Sequence, residues 1–179
     1  MKPKIGVTGA TGYVGGRLVP LLLEEGYPVR VLARRPSKLD GRPWRSRVEV
    51  AAGDVLDPST LPGFLRGLDI VYYLVHSMAE GERGFEERDR RAAEGFARAA
   101  EEAGVRRIIY LGGLGETGPN LSRHLASRLD TGRALRSGAV PVTELRAAVI
   151  VGSGSMSFEM IRALVGRLSF MIRPKWVHT

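Results

Sequence analysis

The chain has 179 residues, of which 44% are hydrophobic and 26% are charged. This balance is typical of an ordinary globular protein of about one domain, and it excludes disordered, collagen-like and low-complexity classes. The sequence contains no cysteine, which excludes disulfides, thiolate metal sites and cysteine nucleophiles. We therefore expect a core built from apolar packing, with no metal site.

The formal net charge is +8. Arginine supplies most of the positive charge, because only Lys2, Lys4, Lys38 and Lys175 are lysines. Arginine forms two-pronged hydrogen bonds with phosphate and carboxylate groups, which suits an anionic ligand. Genome composition and a solvated, salt-bridged surface explain the bulk of the charge more simply. No aromatic-plus-basic stacking motif accompanies it, so we do not expect a nucleic-acid partner.

The apolar stretches are interrupted by arginine or glycine well before membrane-spanning length. Residues 1–4 lead into an apolar segment that is too short for the core of a signal peptide. The sequence therefore predicts a cytoplasmic protein without a membrane partner.

Short apolar runs alternate along the chain with longer amphipathic segments, a pattern typical of βαβ units. The predicted strands are 5–8, 29–33, 48–52, 70–75, 107–111 and 142–146, with the last extending as far as 151. The predicted helices are 13–25, 60–66, 85–103, 121–136 and 156–168, and 34–47 is predicted to be a loop. Right-handed crossovers between such strands predict an α/β fold: a doubly wound parallel sheet of about six strands, with helices on both faces.

Glycine recurs every third residue where the first predicted strand meets the first helix, in the segment Thr8-Gly-Ala-Thr-Gly-Tyr-Val-Gly15. The first glycine allows a tight turn, the second lets the backbone approach a pyrophosphate, and the third lets the helix lie close to the sheet. The helix start adds free N–H groups and a positive dipole end. The motif predicts a Rossmann-type dinucleotide site formed by Gly9, Ala10, Thr11, Gly12, Tyr13, Val14 and Gly15.

Arginines follow the second predicted strand, where an acidic residue would favour NAD. Arg34 and Arg35 suit the 2′-phosphate of NADP instead, so we predict NADP(H) as the preferred cofactor, with NAD(H) as the other possibility. The alternative is a surface pair in an arginine-rich chain. Asp54 and Val55, after the third strand, are predicted to border the adenine.

Three stretches of the sequence resemble the extended and atypical short-chain dehydrogenase/reductases. They are the glycine segment, Gly53-Asp54-Val55 and Asp69-Ile70-Val71. Within that superfamily the chain is most similar to the NAD(P)H-binding branch that is NmrA-like or nucleoside-diphosphate-sugar-epimerase-like, with segments 121–125 and 141–146 similar to uncharacterised bacterial members. The resemblance spans essentially the whole chain. It implies a Rossmann fold and an oxidoreductase or epimerase-like activity that transfers hydride.

The resemblance also implies a Tyr-x-x-x-Lys pair for proton transfer on the helix after the fifth strand, and a Ser or Thr at the end of that strand. This sequence has His124 and Arg128 at the pair's positions, and its fifth strand ends Leu-Gly-Gly-Leu114, without a hydroxyl. Residues four apart share a helix face, so His124 could act as the acid while Arg128 holds a ribose or a phosphate. Alternatively the two are a surface pair on a helix without reductase machinery.

The segment Leu74-Val75-His76 follows the fourth predicted strand, at the carboxyl edge of the sheet where ligands bind in this fold. In relatives this segment passes near the nicotinamide. Leu74, Val75 and His76 are therefore predicted to line the cofactor. His76 is a second acid/base candidate, with a loop or capping role as the alternative.

Relatives usually continue past the sixth strand into a substrate-binding region. We predict a cofactor domain over 1–152, and over 153–179 a helix and tail that begin a short or absent substrate region. Apolar residues in 156–168 and 170–172 predict a homo-oligomer. Two functions stay open: an NADP(H)-dependent oxidoreductase or epimerase-like enzyme that acts on a small molecule, and a catalytically silent NADP(H)-binding sensor.

Overall fold

The computed structural model of the chain describes residues 1–76, 84–114 and 122–167. Its strands are β1 (Ile5–Thr8), β2 (Val29–Ala33), β3 (Glu49–Ala52), β4 (Ile70–Tyr73), β5 (Arg107–Gly113) and β6 (Val142–Ala147). Its α-helices are α1 (Tyr13–Glu24), α2 (Leu61–Leu65), α3 (Phe85–Glu102), α4 (Arg123–Leu135) and α5 (Met156–Arg167). All strand pairs are parallel, in the order β3-β2-β1-β4-β5-β6. The predicted α/β, Rossmann-type doubly wound fold is confirmed.

Apolar side chains project from both faces of the sheet, as the near-continuous apolar strands require. Successive strand residues point to opposite faces, and Val31 and Leu32 accordingly join different core clusters. One cluster packs α2, α3 and α4 against β4 and β5, around Phe64 and Phe96. The other packs α1 against β1 and β2. Because every strand runs the same way, all strand carboxyl ends meet at one edge of the sheet.

Two strands end earlier than the apolar runs predicted. β4 ends at Tyr73 because the next amide, that of Leu74, donates to the hydroxyl of Thr8 (3.0 Å) instead of continuing the ladder. β6 ends at Ala147. The predicted loop 34–47 contains two short 3-10 turns, Pro36–Leu39 and Arg45–Arg47.

The chain divides into two compact units, residues 1–147 and 148–179. In the second unit the hydroxyl of Ser155 accepts from the amide of Phe158 (3.1 Å), which satisfies an amide of the first turn of α5. No residue of α5 is buried. The predicted apolar segment 170–172 and the tail lie outside the described residues. Within the described ranges, the helices are all too short or too polar to cross a bilayer.

Candidate functional site

The turn between β1 and α1 is built so that only glycine fits at its two ends. Gly9 has a φ of +71°, in the left-handed region, and a Cβ there would lie 2.8 Å from the carbonyl oxygen of Leu74. A Cβ on Gly15 would collide with the Gly9 carbonyl oxygen and lie 2.9 Å from the Cα of Ala10. The amide of Gly12 donates to the Gly9 oxygen (2.9 Å), which closes the turn. The backbone therefore folds back on itself without intervening side chains.

A buried threonine fixes this turn relative to β4. The hydroxyl of Thr8 donates to the carbonyl of Tyr72 (3.1 Å) and accepts from the amide of Leu74 (3.0 Å). Thr8 is fully buried, so these bonds form in a low-dielectric environment where they are strong. They hold Leu74 against Gly9 and bring the predicted cofactor-lining segment 74–76 to the turn.

The turn has the properties that a diphosphate requires. Ala10 and Gly15 are buried, whereas Thr11 and Gly12 are exposed to solvent. No side chain caps the first turn of α1, and no acidic residue lies in it. The first amides of a helix lack intrahelical partners and lie at its positive end. The residues present therefore fit a bound dinucleotide phosphate.

The residues predicted for the adenosine end lie at the same edge of the sheet. Arg34 and Arg35 follow β2 and are exposed. The carboxylate of Asp54 accepts from the amide of Leu56 (3.1 Å), and its backbone is held by the hydroxyl of Thr60. These bonds orient the Asp54 side chain in a local turn.

Two histidines from distant parts of the chain come together beyond the end of β4. The ring of His76 meets the ring of His124, on α4, edge to face, with 6.0 Å between their centroids. His76 is exposed and His124 is partly buried. The sequence predicted both as acid/base candidates, but no local pattern predicted that they meet.

Arg128 is fixed beside this pair on the same helix face as His124. Its guanidinium donates to the carbonyl of Leu111 on β5, and its own carbonyl accepts from the hydroxyl of Tyr110 (2.8 Å). Burial raises the pKa of Tyr110 to about 12, so this phenol stays protonated and keeps donating. Arg128 thus joins α4 to the end of β5.

The glycines at the end of β5 are needed for this packing. A Cβ on Gly113 would lie 2.5 Å from Leu125 and 3.4 Å from Arg128. A Cβ on Gly112 would collide with the carboxylate of Glu144. A hydroxyl-bearing residue at either position would therefore have to displace the end of the Leu125 side chain on α4 or of the Glu144 side chain on β6.

The electrostatic environment lowers the pKa of both histidines. Partial loss of solvent around each ring is the largest cause, although His76 keeps an exposed surface, and the positive charge of Arg128 is the next. Asp89, on α3, raises both pKa values in opposition. The pair is therefore mainly neutral at neutral pH, with Arg128 and Asp89 acting in opposite directions on its protonation.

Asp89 is a site residue that the sequence analysis missed. Its carboxylate faces the buried hydroxyl of Ser127 at 3.4 Å. An ion pair between Glu86 and Arg123 (2.7 Å) joins the starts of α3 and α4. Nothing in the local sequence marks Asp89, since only the packing of α3 on α4 brings it near the histidines. In the part of the chain that the structure describes, no group of three His, Asp or Glu side chains is arranged to hold a metal ion.

Comparison with known proteins identifies similar chains. Residues 9–148 match the family model described as NAD(P)H-binding. The chain is 34% identical to a (4-alkanoyl-5-oxo-2,5-dihydrofuran-3-yl)methyl phosphate reductase of Streptomyces griseus, over 89% of this chain and 55% of that protein. It is 32% identical to a ceramide reductase of Caulobacter vibrioides, over 84% of this chain and 47% of that protein. The chain thus spans about half the length of these relatives.

A solved structure adds a relative with its cofactor. Triphenylmethane reductase of a Citrobacter species, solved in complex with NADP(H), is similar with a TM-score of 0.68 and 26% identity. The match covers 82% of this chain and 50% of that one.

Proposed function

Because the chain belongs to the NAD(P)H-binding family, we propose that it is the cofactor-binding part of a reductase that uses NADP(H). Family membership also confirms the resemblance to the NmrA-like and epimerase-like short-chain dehydrogenase/reductases. The observation that carries the proposal is the turn from Gly9 to Gly15, where backbone packs on backbone and the amides of α1 stay uncapped.

The preference for NADP(H) over NAD(H) rests on charge. Among the described residues, neither Arg34 nor Arg35 forms an ion pair with a carboxylate, and β2 ends without an acidic residue. Two unneutralised guanidiniums suit a phosphate dianion. The similar Citrobacter reductase was solved with NADP(H), which is consistent with this preference.

The histidine pair supplies the proton in the proposed reaction. Bound NADPH would supply a hydride to an electrophilic carbon of the substrate. If that carbon is a carbonyl carbon, the electron pair of the C=O bond moves to oxygen, which then takes a proton from His124 or His76. The acid is the protonated minority of the pair at neutral pH: its imidazolium becomes imidazole and regains a proton from solvent. Arg128, fixed by the Leu111 carbonyl, orients His124 and holds a ribose or phosphate oxygen.

Binding and turnover measured on the same protein test this function. NADPH and NADH binding is measured by calorimetry, and NADPH oxidation is followed with quinones, aldehydes and nucleotide sugars. Loss of a general acid lowers turnover by about 100-fold or more, so His124→Gln or His76→Gln, whichever removes the donor, should lower turnover without weakening NADPH binding. His178→Gln is the matched control, since the sequence assigns no role to that histidine. If the protein binds neither NADPH nor NADH, the proposal is contradicted.

A silent sensor is the second candidate, and one observation favours it. Gly112 and Gly113 stand where the resemblance implies a substrate-binding hydroxyl, and the side chains of Leu125 and Glu144 fill the space beside them. In that case the protein binds NADPH but oxidises it with no member of the panel. The His124→Gln variant then behaves as the wild type in every assay.

Self-association through α5 is proposed as well. Most of the large apolar side chains of this helix are exposed, with Met156 74% and Met160 57% accessible, and Phe158 is partly buried. Burying such a face against a second copy removes apolar area from water. Light scattering should therefore give a mass above the 19.5 kDa of one chain. A monodisperse monomer at high concentration contradicts it.

A further inference from the structure

An arginine that the glycine motif does not include lies directly against the turn. The guanidinium of Arg42 donates to the carbonyl of Thr11 (3.2 Å). Its Nη1 lies 3.4 Å from where a Cβ on Gly16 would stand. This distance is ordinary van der Waals contact, so the guanidinium packs beside the first turn of α1. Arg42 is thus placed at the mouth of the proposed phosphate site.

The backbone holds Arg42 in this position. Its amide donates to the carbonyl of Leu39 (2.9 Å), and its carbonyl accepts from the amide of Arg45 (3.0 Å). Leu39 is fully buried and Trp44 is 5% exposed, and both pack in the core cluster that contains α1. The segment is therefore anchored on both sides of Arg42.

The charge of Arg42 is not neutralised locally. The nearby carboxylate of Asp40 pairs with Arg45 instead (3.9 Å). Elsewhere on the described surface arginines do find carboxylates, as Arg30 does with Glu49 and Arg106 with Asp69. Within the described ranges no ion pair includes Arg42, whose recorded acceptor is a neutral carbonyl. A phosphate dianion is a stronger acceptor, because charge-assisted bonds are about twice as strong as neutral ones.

We infer that Arg42 is a specificity-determining residue that binds the phosphate on the adenosine ribose of NADP(H). This inference rests on the proposed function. The guanidinium leaves the Thr11 carbonyl for the phosphate, which Arg34 and Arg35 approach from the end of β2. NADH lacks this phosphate, so it gains nothing from the exchange. Arg42 therefore separates the two cofactors rather than strengthening both.

Titration of three variants with NADPH and NADH tests the assignment. Loss of a hydrogen bond between charged groups weakens binding by about tenfold or more. We therefore expect Arg42→Gln to lower the affinity for NADPH by at least this factor. NADH binding should change by no more than about twofold, since neutral surface contacts contribute little. Arg42→Lys keeps the charge but loses the planar guanidinium, so its NADPH affinity should lie between that of the wild type and that of Arg42→Gln. Arg47→Gln is the matched control, because Arg47 donates to the carbonyl of Leu23 (3.3 Å) at the other end of α1.

The outcomes separate this inference from the proposed function. Equal weakening of NADPH and NADH by Arg42→Gln means that Arg42 braces the turn or binds the diphosphate common to both cofactors, and either result overturns the inference. Unchanged NADPH affinity overturns it too. If the wild-type protein binds NADH but not NADPH, the inference about Arg42 is overturned while the proposal of dinucleotide binding stands. If it binds neither nucleotide, the inference and the proposed function both fail. Thermal unfolding of each variant checks folding, and Arg42→Lys carries the comparison if Arg42→Gln does not fold.

Discussion

The turn at Gly9–Gly15 and the histidine pair at the end of β4 are made in opposite ways. The turn depends on atoms that are absent, since a Cβ at Gly9 or Gly15 would meet neighbouring backbone. The histidine region depends on side chains from α3, α4 and the segment after β4 that must all be present, together with a backbone carbonyl of β5. The turn should therefore fail when atoms are added, and the histidine region when they are removed or recharged.

The largest effect is expected from Gly15→Ala. The added methyl group meets the Gly9 carbonyl and the Ala10 Cα, which are backbone atoms that cannot rotate away. Overpacking of this kind costs about 1–3 kcal/mol of unfolding free energy. Displacing the turn should also abolish measurable NADPH binding. Chemical denaturation and calorimetry measure the two effects.

Gly63→Ala is the matched control for this substitution. Gly63 lies in α2, and nothing stands within 4 Å of the position of its Cβ. Alanine in a helix is about 0.5–1 kcal/mol more stable than glycine, so this variant should be stabilised and bind NADPH normally. Equal behaviour of the two variants would show that the close packing at Gly15 is unimportant.

Gly113→Ser adds back the hydroxyl that the resemblance implies, and it should not improve turnover. The new Cβ would lie 2.5 Å from Leu125. Because the contact is with the end of a flexible side chain, we expect a loss near the lower end of the range of about 1–3 kcal/mol. Thermal unfolding and NADPH oxidation measure the outcome. Higher turnover with undiminished stability contradicts the packing argument for this position.

Arg128→Gln and Asp89→Asn should move the histidine pKa values in opposite directions. The first removes a cation that lowers the pKa of His76 and His124, so both values should rise. The second removes a carboxylate that raises them, so both should fall further. NMR titration of the imidazole signals measures the shifts. Arg133→Gln, on the exposed side of α4, is the control. If Arg128→Gln and Asp89→Asn shift the histidine pKa values in the same direction, the opposing roles of Arg128 and Asp89 are refuted.

The smallest effect is expected in the pH dependence of stability. Both histidines have a pKa below the ordinary value of 6.5 when folded, so below that pH the unfolded chain binds more protons than the folded one. Stability should therefore fall as the pH drops below about 6.5. Glu49 and Glu144, whose pKa values lie below 4.5, act only in more acidic solution. In a His76→Gln/His124→Gln double variant, the free energy of unfolding should depend less on pH just below 6.5, above the acidic range in which the glutamates titrate. Chemical denaturation at several pH values measures this dependence.

Periodicity predicted the order and type of the strands and α-helices, and the structure differs from it at their ends and in the two 3-10 turns within 34–47. The run Ile70–Val75 is uniformly apolar, so its pattern contains nothing to end a strand at Tyr73. The end is set by the hydroxyl of Thr8, which takes the amide of Leu74 from a position 66 residues away. The helix predicted over 85–103 forms as α3, and its apolar residues Ala92, Phe96 and Ala100 are buried.

The cofactor residues could be proposed from sequence because their task is local. Gly9, Gly12 and Gly15 act within one strand-turn-helix unit, so their spacing alone implies the geometry. Arg42 could not be predicted in this way, because it contacts Thr11 across 31 residues of the chain. The same applies to Asp89. The roles of all the predicted site residues stay predictions. They are the cofactor roles of residues 9–15, Arg34, Arg35, Asp54, Val55, Leu74 and Val75, and the catalytic roles of His76, His124 and Arg128.

The sequence by itself determined the parallel sheet, the helix order and the glycine turn, because these follow from apolar periodicity and from the conformations that glycine alone permits. The tertiary structure alone decided that His76 meets His124, that Asp89 and Arg128 act on both, and that Arg42 lies on the turn. Those relations join residues far apart in the chain, and side-chain contacts at such separation depend on how helices pack against the sheet rather than on any local pattern.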